Sequence, residues 1–152
     1  MEFILKNFWI AFIVVTFLNA LTFKFRSIKQ IKEKPELEEG YNKIIKGYVI
    51  YGSIPWIIMG IGNLLSLTNS IFEYFNPSTL NPIVLLFHIS IIYLWIISSI
   101  WLYKKDGASF LDKHPGILNM TGSQLKLLLP LCLVGGIAAM VAMWIVEVPV
   151  MF

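Results

Sequence analysis

The chain has 152 residues, 57% of them hydrophobic and 14% charged, with a formal net charge of +3 and a mean hydropathy of +0.75. That balance excludes an ordinary soluble domain and implies one membrane domain, residues 1–152. The one cysteine, Cys132, lies in an apolar run, so a single chain has neither a disulfide framework nor a thiolate metal site. The basic residues sit beside apolar stretches and not on a polar face interleaved with aromatics, which makes nucleic acid an unsuitable partner.

The first apolar run, Phe8 to Phe23, gains length from Phe3 to Leu5, with Lys6 and Lys24 snorkelling at its ends, giving a span over about 5–23. Positive charge follows this run in KFRSIKQIKEK, and Asn19-Ala20-Leu21 is no signal-peptidase site, so the helix is expected to be retained with its N-terminus outside. Lys24 to Lys46 is hydrophilic. Pro35 with Glu36, Glu38 and Glu39 predicts a helix restart that runs into the second span, about 47–67. Tyr41 and Tyr48, seven residues apart, share a helix face and read as interfacial anchors. Pro55, Gly60 and Gly62 are tolerated in a membrane helix, and Gly52, Trp56, Met59, Asn63 and Ser66 form a stripe that should face other helices.

Thr68 to Pro82 reads as a short connection, with turns at Asn76-Pro77 and Asn81-Pro82 and with Phe72, Tyr74 and Phe75 suited to the headgroup interface. A third span covers about 83–103. Its stripe of His88, Ile92, Trp95 and Ser99 should face the bundle. The loop 104–123 has turns at Asp106-Gly107 and Pro115-Gly116, and Thr121 with Gln124 predicts a capping box that opens the last span, about 124–146. Gly135, Ala139 and Ala142 lie on one face of that span. With Gly52 and Gly60 they are the expected helix-packing positions, for a neighbour in the same chain or, alternatively, a second copy. The fold expected is an all-α integral membrane bundle of four transmembrane helices.

Eleven of the twelve basic residues fall in the segments 24–46 and 104–126, and Lys6 is the other. The positive-inside rule makes those loops cytoplasmic and puts both termini and the Thr68 to Pro82 connection outside. With about 1.5 Å of rise per residue, His88 lies roughly 9 Å and Asn63 roughly 6 Å below the outer boundary. Polar residues of four segments thus meet in one outer layer. They outline an outward-facing ligand pocket from Asn63, Glu73, His88, Trp144 and Glu147. The plainer alternative is that His88 bonds Asn63 or a backbone carbonyl and cements the bundle.

No nucleophile, metal-ligand spacing or phosphate loop accompanies these residues, so no catalytic residue, metal or cofactor is assigned and the reading is non-enzymatic. His114, in a His114-Pro115-Gly116 turn on the basic loop, is a membrane thickness of about 30 Å from His88, too far for a bis-histidine haem. A His88 and Met143 pair, or His88 from two subunits, is the remaining haem geometry. The alternatives kept open are a transporter acting as an oligomer and a quinone or haem redox subunit. The partners expected are the lipid bilayer and another membrane protein or a second copy.

Three segments, SIPWIIMGIG (Ser53 to Gly62), NPIVLLFH (Asn81 to His88) and HPGILN (His114 to Asn119), resemble a group of small bacterial multi-pass membrane proteins. The resemblance covers about the central half of the chain. It implies the bacterial cytoplasmic (inner) membrane and no activity, so it transfers no site residue.

Overall fold

The computed structural model describes residues 5–146. Among them the protein is an all-α four-helix bundle without strands. Helix α1 spans Phe8–Glu33, α2 Glu38–Leu64, α3 Pro82–Lys104, the short α4 Gly107–Asp112, and α5 Gly122–Ile145. Helices α1, α2 (with the turn before it), α3 and α5 are long and apolar enough to cross a membrane, and the chain is a small multi-pass membrane protein.

The segment 24–46 is helical on both sides of a turn. Helix α1 runs to Glu33, Lys34 caps it by donating to Gln30 O, and Pro35 opens a 3-10 turn, Pro35–Leu37, that leads into α2. Proline suits that first position because its missing N–H would be unsatisfied there anyway. At its other end α2 closes with Leu67 N donating to Gly62 O (2.9 Å) and Ser66 N to Asn63 O (3.2 Å). Ser66 takes the left-handed conformation, φ 54°, that this closing motif requires. Two 3-10 turns, Ile71–Phe75 and Pro77–Thr79, then form a compact cap before Asn81 accepts from Ile83 N and starts α3.

The spans pack chiefly in chain order: α1 on α2, α2 on α3, and α3 on α5. The core sits at the cap end, where Met59, Tyr74, Ile83, Val84 and Phe87 are buried with Trp9 and Trp56 against them. Phe12 stacks on Trp56 with centroids 3.8 Å apart, and Tyr74 meets Phe87 edge-on at 5.1 Å. Lipid tails are as apolar as these side chains, so close van der Waals fit, not exclusion of water, holds such a core together.

Glycine sets how close the elements come. A methyl group on Gly60 would lie 2.8 Å from the Trp9 ring, whereas one on Gly52 would make ordinary contact with Thr16 at 3.5 Å. On α5 the packing position is Gly136, where an added carbon would be 2.6 Å from the Trp95 ring. Its neighbour Gly135 has nothing within 4 Å of that point, and Ala139 and Ala142 are exposed. Within the described chain, then, the stripe of small residues on α5 turns away from its own bundle, and the expectation of a neighbour from the same chain is corrected. The reason is register: Trp95 approaches one residue further round the helix, and a one-residue step turns the face by about 100°.

Candidate functional site

At the cap end, a chain of hydrogen bonds crosses three elements. Asn63, on the last turn of α2, donates from Nδ2 to the Lys6 carbonyl and accepts at Oδ1 from Thr68 Oγ1 at 2.6 Å. Thr68 Oγ1 lies 3.0 Å from the Tyr74 hydroxyl, which donates to Met59 O at 3.1 Å. The backbone carbonyl of Tyr74 then meets His88 Nε2 at 2.9 Å. Asn63, Thr68, Tyr74 and His88 are all buried.

The hub is Tyr74. Its ring joins the apolar core, and its hydroxyl fits over Gly62, where an added carbon would sit 2.2 Å from the oxygen. Burial pushes the Tyr74 phenol above its ordinary 10.0; the contact with the Thr68 hydroxyl opposes this and the Glu73 carboxylate adds to it. As the last-turn glycine of an apolar helix, Gly62 was the available signal. Sequence reasoning placed Tyr74 at the headgroup interface, and that placement is corrected: its side chain is 1% exposed. A short aromatic connection reads as interfacial because nothing local shows that a cleft between two helices will accept the ring.

A carbonyl can only accept, so His88 donates from Nε2. Its Nδ1 is buried and without a partner among the described residues. The bond to Tyr74 O is of the kind the cementing alternative requires, and it ties the cap to α3. Interhelical bonds of this type are worth about 0.6 kcal/mol on average in a membrane.

Of the five residues outlined for a pocket, the structure joins Asn63 and His88 through Thr68 and Tyr74 and not directly. Glu73 lies in the same cap, where its Oε1 accepts from Asn69 N at 2.6 Å. Trp144 is 48% exposed on α5 and makes no part of this network. Glu147 lies outside the described residues. No group of three or more metal-binding side chains occurs among the described residues.

A second joint lies at the basic end. Tyr41 is fully buried and donates to Pro115 O at 2.7 Å, so it clasps the loop instead of anchoring at an interface. His114 is also buried; its Nδ1 is 2.6 Å from Phe110 O and its ring stands edge-on to Tyr41 at 5.0 Å. Only glycine fits beneath it, since an added carbon on Gly40 would lie 1.8 Å from His114 Nε2. Arg26 Nη1 reaches Ile117 O at 3.5 Å, and Gly116 turns the loop at φ 91°. Helix α5 starts from this loop with the expected Thr121–Gln124 capping box, and Asp112 Oδ1 accepts from Gly122 N at 2.6 Å.

Both joints hold connections against helices, and neither presents a paired nucleophile and base. Compared with known proteins, the chain matches no family model, no curated protein and no solved structure.

Proposed function

We propose that the protein is a non-enzymatic membrane subunit that works by packing the free face of α5 against a transmembrane helix of another membrane protein or of a second copy. One observation carries the reading: no residue in the apolar stretch of α5 is buried within the chain. Gly135, Ala139 and Ala142 lie along that face, flanked by exposed Val134 and Val141. Small residues gain little from contact with lipid tails but let a second backbone approach closely. The cap and the basic-end clasp fit this role, because they stiffen the connections so that α5 is presented in one orientation.

The native Cys132 is exposed and close to that face, so it serves as the reporter. Oxidative cross-linking in native membranes should give a discrete product, either a covalent dimer or an adduct to one other protein. Ala139→Leu should abolish the product while leaving the melting temperature in mild detergent unchanged. A chain that stays monomeric, with no cross-linked product and no co-purifying protein, would overturn the reading.

A further inference from the structure

We infer that the basic end seats an anionic phospholipid, its phosphate beside Arg26 and Lys113 and an acyl chain along Leu127, Leu128 and Leu131. Two depressions open on this end. One, of about 280 Å³, has a mixed lining on the loop, with His114, Asn119, Thr121 and Gln124 among apolar residues such as Ile117 and Leu118. The other, of about 310 Å³, runs onto α5 between Met120 and Leu131 and is almost wholly apolar. They share Asn119, Met120 and Gln124, so together they form one groove that carries its polar groups at the loop and is apolar along the span. From Gln124 to Leu131 is about 10 Å of helix, a length over which a phospholipid passes from headgroup to chain.

Charge selects the headgroup. Among the described residues the one ion pair is Lys43–Glu39, so Arg26 and Lys113 are uncompensated. Both stand at the rim of the groove: Lys113 is flanked in the chain by two lining residues, Asp112 and His114, and Arg26 makes a single long bond to the backbone carbonyl of a third, Ile117. That leaves most of the guanidinium donors for phosphate oxygens, which its planar fork suits. Asp112 is the one carboxylate in the lining; its Oδ1 accepts from Gly122 N, and its single negative charge is outnumbered by the two cations. The apolar half argues against a soluble phosphate ester, because Leu127 and Leu131 are 76% and 67% exposed in a membrane-spanning helix and must meet hydrocarbon.

The inference does not depend on what covers Gly135 to Ala142, and the test keeps the two apart by counting lipid only on the monomer. Purified protein in mild detergent is mixed with equal amounts of phosphatidylglycerol and phosphatidylcholine of matched chains and examined by native mass spectrometry. Phosphatidylglycerol adducts should exceed phosphatidylcholine adducts, whose phosphate charge is cancelled by choline, by at least about fivefold, the effect of one basic residue on a lipid of net negative charge. Lys113→Gln with Arg26→Gln should bring the ratio close to one, and Leu131→Trp should reduce both adducts by filling the slot. Each variant is accepted only if its helicity and melting temperature match the parent. Equal retention of the two lipids, a ratio unchanged by the double variant, or full displacement of lipid by glycerol 3-phosphate would overturn the inference.

Discussion

His88 and Asn63 were legible as single residues, since a polar side chain in an apolar helix stands out whatever surrounds it. Their connection was not. It runs through Thr68 and Tyr74, which lie in a connection where polar and aromatic residues are ordinary, and through a space that exists only because position 62 is glycine. Tyr74→Phe tests the hub. It removes the hydroxyl's bond to Met59 O and its contact with Thr68 Oγ1, which keeps Asn63 Oδ1 as a partner, and should cost about 0.5–1.5 kcal/mol in detergent unfolding, less than the packing loss of removing the ring. The sign of its pH dependence follows from the raised phenol. Above 10.0 the unfolded chain releases the proton that the folded chain still holds, so stability falls as pH rises. The wild-type advantage over Tyr74→Phe should therefore be constant from neutrality to about pH 9 and shrink by about pH 11, as denaturation series at the two pH values would show.

Among elements, the capping box at Thr121 and the restart at Pro35 were legible because their signals are local, within three or four residues. The Asp112 contact to Gly122 spans ten residues and the Tyr41 contact to Pro115 spans 74, so neither leaves a periodic trace. The same limit explains Gly135 and Gly136. Adjacent glycines mark a place of close approach but not the direction from which the neighbour comes. The three segments used for the resemblance each contain part of a joint: Gly60 and Gly62 in the first, His88 in the second, and His114 with Gly116 in the third. Gly40→Ala tests the basic-end joint, because its methyl group would drive into the His114 ring. The substitution should cost about 1–3 kcal/mol, as overpacking does, and should free the loop to proteolysis near Pro115. Gly47→Ala, where an added carbon meets nothing within 4 Å, is the matched control and should leave proteolysis unchanged and stability the same or up to about 1 kcal/mol higher.

For the whole molecule, fold class and span number followed from composition and hydropathy, whereas the sequential packing order did not. Each span is legible by itself, but which faces meet depends on pairwise fit. That order leaves α5 at one edge with no buried residue in its apolar stretch, against 28% for α3. It also brings the two basic segments to one end, joined by Tyr41 to Pro115 and by Arg26 Nη1 to Ile117 O. Eleven cations gathered there give the molecule a strong charge asymmetry, and the positive-inside rule then argues that the cap faces outward. Single cysteines in a Cys132→Ala background test this orientation. Ser78 and Asn42 are both exposed, one in the cap and one at the basic end. In intact cells a membrane-impermeant maleimide should label Ser78→Cys and leave Asn42→Cys unlabelled until the membrane is opened. The reverse pattern would invert the topology. It would also move the lipid groove to the other leaflet, where the same phosphatidylglycerol preference would still hold in detergent because the groove's chemistry does not depend on which side it faces.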